Sequence, residues 1–200
     1  HPKELKIKLN WLSFSGKNIR MFSFYIPEGM REAYKGKVFE QIGRFVDYAS
    51  ANDAVLLHEN EKGIYGERAK ECRELMDEFY GEHFKAVFDF ANFVQAGQDT
   101  LQAYELLKKY ISYIHVKDAL AVNGNVVPAG MGDGNVAAIL KDLYADGYQG
   151  FLSLEPHLFQ FSGFAGLERG EQLASGKKTL SGAEAFELAH KSLIKILTEI

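Results

Sequence analysis

Cysteine is nearly absent: Cys72 is the only one in 200 residues. No internal disulfide can form, so a reducing compartment is expected. Cys72 lies three, four and seven residues before Leu75, Met76 and Phe79, a spacing that makes it a core thiol on a helix rather than a nucleophile. Long apolar runs are also missing. Nothing approaches the roughly 18 residues of a membrane span and no signal peptide is visible, so the sequence reads as cytoplasmic with no membrane partner. A basic surplus is lacking too: 23 Lys and Arg stand against 27 Asp and Glu, for a net charge of −4. Proteins that grip a phosphate backbone carry the opposite imbalance, so no nucleic-acid partner is expected. Linker-like and low-complexity tracts are absent, and the length is ample for one core; residues 1–200 read as one domain.

What is present is a regular alternation. Five short aliphatic and aromatic runs, Asn18–Phe24, Ala54–Glu59, Ala86–Phe90, Tyr113–Lys117 and Phe151–His157, read as buried parallel strands. Between and after them, residues 31–51, 67–80, 100–110, 135–146 and 182–199 carry apolar residues at spacings of three and four, the signature of amphipathic helices. A similar stripe runs through Leu5, Leu9 and Leu12 in the segment Glu4–Phe14. Strand–helix alternation predicts a parallel sheet built from right-handed crossovers. The run Gly130-Met131-Gly132-Asp133-Gly134 precedes a helix. It reads as a plain loop rather than a phosphate cradle, because no strand leads directly into it.

The strand tips carry the chemistry. Glu59, Asp89, His115 and Glu155 end four successive strands, at intervals of 30, 26 and 40 residues. Each interval is about one strand–helix unit, so every unit delivers one carboxylate or imidazole to the same end of the sheet. Singly, such a glutamate is usually solvated and such a histidine is a satisfied core residue. Four in register form a hard-to-borderline donor set for Mn²⁺, Mg²⁺, Co²⁺ or Zn²⁺. His115 and Lys117 share a strand face, as do Ser153, Glu155 and His157.

Those tips read HEN at 58–60, DFAN at 89–92, HVKD at 115–118 and LEPH at 154–157. In this order they resemble the xylose isomerase-like TIM-barrel superfamily, and within it the sugar phosphate isomerase/epimerase family. IRMFSFY at 19–25 is similar to the strand before the first ligand strand of that family. The resemblance implies one divalent cation, Mn²⁺ foremost, held by Glu59, Asp89, His115 and Glu155. It implies Glu59 and Glu155 as the acid/base pair on opposite faces of a substrate carbon, with Lys117 stabilising oxyanion charge. Asn92, His157 and Arg20 become substrate contacts, Arg20 equally a structural brace. The epimerases often carry a histidine three residues after the second ligand, where this chain has Asn92. They also carry an arginine after the third, where it has HVKDAL. The substrate is therefore not transferred.

A full (β/α)₈ barrel runs to about 250 residues. The five strands correspond to the last five of such a barrel, an apparently N-terminally truncated, partial TIM barrel. Completion by oligomerisation, as a homodimer, is the expectation. The function expected is a metal-dependent isomerase or epimerase of a small sugar, sugar phosphate or polyol. The alternatives are a catalytically inactive barrel that keeps metal binding or self-association, and an endonuclease IV-like nuclease. The nuclease calls for more histidine ligands and a basic surface than this sequence offers. Phe159–Phe164, just past the last ligand, is a candidate aromatic lid or interface.

Overall fold

The computed structural model describes residues 17–158 and 181–200; the Leu5–Leu12 stripe and the Phe159–Phe164 lid lie outside them. The chain forms a partial (β/α) barrel, a five-stranded parallel half-barrel sheet with its helices. The strands are β1 (Asn18–Met21), β2 (Val55–Glu59), β3 (Phe84–Asp89), β4 (Ile111–Val116) and β7 (Phe151–Leu154), side by side in that order. A two-residue hairpin, β5 (Asp118–Ala119) with β6 (Val126–Val127), interrupts the passage from β4 to β7.

The helices follow the apolar spacing closely. They are α1 (Arg31–Ser50), α2 (Ala69–Phe79), α3 (Phe90–Gln95), α4 (Thr100–Leu107), α5 (Val136–Ala145) and α6 (Gly182–Glu199). Helix α2 buries Ala69, Cys72, Leu75 and Met76, one face of a 3.6-residue period. Helix α6 starts with a reciprocal cap: Ser181 accepts from the Glu184 amide, and Glu184 accepts from the Ser181 amide. Burying one fully covered aliphatic or aromatic side chain contributes about 1.5–3 kcal/mol. Phe84, Phe88, Phe90, Phe93, Ile114 and Ile139 are all fully covered, so the helix-to-sheet layer carries most of the stability.

Local structure differs from the sequence reading at several points: the β5–β6 hairpin was not expected, and the last strand ends at Leu154 rather than His157. The first strand ends at Met21 rather than Phe24, because the chain then turns to bond Gly63 and Tyr65: Ile26 N–H donates to the Gly63 carbonyl, and Tyr65 N–H to that of Phe24. Helix α3 follows Asp89 without a loop, which its brevity hid from any periodicity test. Among the described residues, β1 and β7 each have a neighbour on one side only.

Candidate metal centre

Strand register brings the four tips together. Arg20 pairs with Leu57, and Glu59 is two residues further along β2, hence on the same sheet face. Glu59 pairs with Val87, two before Asp89. Asp89 pairs with His115, and His115 with Ser153, two before Glu155. An irregularity between Ala86 and Val87 advances the partner strand by one residue, from Ile111 to Tyr113, and so levels Asp89 with His115. Every step is even, so Arg20, Glu59, Asp89, His115 and Glu155 share one face, away from the helices.

Glu59, Asp89, His115 and Glu155 each offer one ligand atom, and these atoms all lie within 4.8 Å of one another. Glu59 and Asp89 are fully buried. His115 Nδ1 is 3.0 Å from Glu59 Oε1 and 3.9 Å from Glu155 Oε1. A carboxylate only accepts, so the Glu59 contact is a hydrogen bond donated by Nδ1. Two cations join the cluster. Arg20 bonds Glu59 through Nε and reaches Glu155 Oε1 at 3.4 Å. Lys117, only 6% exposed, donates to Glu155 Oε2 at 2.8 Å and lies 3.2 Å from Asp89 Oδ2.

Burial and the neighbouring cations act differently on the three carboxylates. Burial alone would raise Glu59, but hydrogen bonds from His115 and Arg20 outweigh it and hold the group below its usual range. Burial also opposes ionisation of Glu155, yet Lys117, His115 and Arg20 pull it down to about 2. Asp89 goes the other way. Burial pushes it up to about 7, Lys117 offsets that only partly, and Glu59 and Glu155 add to the rise.

Asp89 also shows why the site suits a cation. Its Oδ1 caps α3 by accepting the Asn92 amide at 2.8 Å, whereas its buried Oδ2 accepts no hydrogen bond. Lys117 Nζ stands 3.2 Å from it as an ion pair, and an ion bound among the four donors would give this buried oxygen a direct partner. Residues flanking the cluster hold Asp89 in place. Asn60 donates to the Asp89 carbonyl at 3.0 Å and accepts its amide at 2.9 Å. Asn92 donates to the Asn60 carbonyl at 2.9 Å.

Of the residues expected at the site, Arg20 and Lys117 stand in the cluster. Asn92 is buried in the Asn60–Asp89 clamp. His157 is exposed, two residues beyond Glu155, and its amide donates to the Glu155 carbonyl at 3.0 Å. Cys72 is buried, donates to the Gly66 carbonyl at 3.0 Å, and burial pushes its thiol far up, as a core residue. His58 of the HEN string faces the helices instead; burial lowers it to about 4, so it is neutral. Sequence reasoning missed Asn60, Glu61 and Asp118. Asn92 three residues after Asp89 was a legible helix-cap spacing; Glu61, whose Oε2 accepts from the Asn92 side-chain Nδ2 at 3.4 Å, carries no such signal.

Residues 13–180 match the family model described as xylose isomerase-like TIM barrel, and the chain belongs to that family. The structure of an L-ribulose 3-epimerase is similar, with TM-score 0.74 and 15% identity over 99% of this chain and 67% of that one. A xylose isomerase domain protein from Planctomyces limnophilus gives TM-score 0.67 and 22% identity over 98% and 66%. A xylose isomerase-like TIM-barrel protein from Mycobacterium smegmatis, solved in complex with magnesium, gives 0.65 and 15% over 99% and 67%. At such identities these likenesses speak to the fold. The chain spans between 62% and 67% of the length of the solved relatives it matches first. No curated protein matches the sequence. Among the described residues no helix is long and apolar enough to cross a membrane.

Proposed function

We propose that this chain is a divalent-metal-dependent isomerase or epimerase of a small sugar or polyol, working by proton transfer beside a metal-bound carbonyl. The carrying observation is the convergence of Glu59, Asp89, His115 and Glu155 donors within 4.8 Å on one sheet face. Likeness to epimerase structures, and to one relative solved with magnesium, supports the reading. Glu59, Asp89, His115 and Glu155 would hold the ion, Mn²⁺ in the first instance. Bound there, it would polarise a carbonyl and acidify the neighbouring C–H.

The rest of the chemistry belongs to the side chains. Glu59 and Glu155 are both held ionised, so either would serve as the base that takes the proton from one face of a carbon, while the other, once it has gained a proton from solvent, would deliver it to the opposite face. Lys117 stays protonated beside Glu155 and donates to an oxygen that gains charge as the proton leaves. Arg20 keeps Glu59 oriented. Asp89 is fixed by its own helix cap and supplies charge without moving. The test is proton exchange: with Mn²⁺ and a panel of ketoses in D₂O, deuterium enters one carbon position, and Glu59→Gln and Glu155→Gln each abolish it. Exchange that persists in both variants would sink the assignment.

One observation favours a second reading. Arg20 and Lys117 already neutralise most of the carboxylate charge, as in a purely structural ion-pair node. Under that reading Mn²⁺ does not bind and the fold survives. Self-association is a further part of the proposal. The outer edges of β1 and β7 present unpaired backbone groups among the described residues, and such edges recruit partners. Sedimentation should give a mass above one chain; a stable monomer would reject it.

A further inference from the structure

The Gly-rich loop does hold an anion, and the anion is part of the chain. Asp118 is fully buried. Its Oδ2 accepts the amides of Gly130 at 2.9 Å and Gly132 at 3.0 Å. Its Oδ1 accepts those of Gly134 and Ala119, both at 2.9 Å. The glycines are demanded by closeness: a Cβ at Gly132 or Gly134 would stand 2.5 or 2.6 Å from Asp118 Oδ1. Further bonds tie the same loop down, from the Asp133 amide to the Ala119 carbonyl at 2.8 Å and from the Ala121 amide to Asp133 Oδ2 at 2.7 Å.

Asp118 directly follows Lys117, and the loop it anchors continues into the residues facing the metal cluster. Val126, Val127, Pro128 and Ala129 line a small cavity, about 10 Å³, whose other side includes Lys117 and Glu155. We propose that Asp118 is a positioning residue: its carboxylate fills the Gly130–Gly134 cradle, locks Val126–Ala129 as an apolar wall beside Lys117 and Glu155, and leaves that loop closed to a substrate phosphate. The proposal rests on the reading of Lys117 and Glu155 as site residues. It deepens that reading, because the cations of the cluster are likewise engaged with carboxylates. Among the described residues, the site therefore favours an uncharged polyhydroxy carbonyl compound over a phosphate ester.

The test compares wild type with Asp118→Asn, an isosteric change that turns two accepted N–H bonds into donor–donor contacts. Three readouts are taken: amide exchange at Gly130, Gly132 and Gly134, reductive methylation of Lys117 followed by peptide mass, and Mn²⁺ titration. In wild type the three amides are protected and Lys117 resists labelling. In the variant the amides lose protection and Lys117 labelling rises roughly tenfold, as loss of one charge-assisted bond predicts for loop opening, while any Mn²⁺ affinity stays within about threefold. A carboxylate that merely stabilised the loop would leave Lys117 unlabelled in the folded variant, and that result overturns the proposal. Should Asp118→Asn fail to fold, wild type alone decides: fast exchange at the three glycines, or inorganic phosphate binding that slows their exchange, overturns it. Absence of Mn²⁺ binding in wild type would instead count against the metal site and leave the Asp118 cradle standing.

Discussion

Asp118 and the carboxylates of the strand-tip cluster are satisfied in different ways. Asp118 is held by four backbone amides, which cannot leave. Glu59 and Glu155 are held by side chains, Arg20, His115 and Lys117, which can rotate away; Asp89 has one backbone amide at Oδ1, while its Oδ2 accepts no hydrogen bond and meets only the Lys117 ammonium at 3.2 Å. A carboxylate satisfied by backbone belongs to the architecture. One satisfied by exchangeable cations can trade them for a metal ion. Composition and burial alone would not separate the two sets, since Asp89 and Asp118 are both fully covered.

The contrast can be broken most forcefully at Asp89. Asp89→Asn should weaken Mn²⁺ binding more than about 100-fold, since it removes a charged ligand whose pinned geometry nothing nearby can replace. In metal-free protein the same change should cost less than about 1 kcal/mol, because it also removes a carboxylate that burial disfavours. Asp118→Asn should show the reverse, with roughly 3 kcal/mol lost in urea unfolding and little change in Mn²⁺ affinity. Equal behaviour of the two variants would erase the distinction. At Lys117 the effect is smaller: Lys117→Met removes the cation competing for Glu155 and Asp89, so Mn²⁺ should bind about tenfold tighter while proton exchange is lost. Weaker binding would mean that Lys117 organises the site rather than competing within it. The smallest effect is at Cys72. A thiol reagent at neutral pH should modify it only on unfolding, since burial keeps the thiol protonated; prompt reaction in folded protein would show the α2 face to be open.

Much of this was legible beforehand, for reasons that name their own limits. The five strands and five longer helices followed from apolar periodicity, and the four converging residues from one polar residue per strand tip. Evenness of register, which puts Glu59 and Glu155 on one face, could not be read from separate segments, because it depends on the Ala86/Val87 irregularity. Helix α3 and the β5–β6 hairpin were too short to leave a period. The Gly130–Gly134 run was read as a loop, and the structure gives its physical reason: its amides serve Asp118, sixteen residues before Gly134. Nothing in local sequence announces a cradle filled from that distance.

The central claim, that the strand-tip cluster is a metal site, is tested most directly by titrating Mn²⁺ into wild type and Glu155→Ala and following the heat. One ion per chain, bound in wild type and lost in a folded Glu155→Ala variant, is the result predicted. No binding by well-folded wild type would contradict it and leave Glu59, Asp89, His115 and Glu155 as a structural ion-pair node.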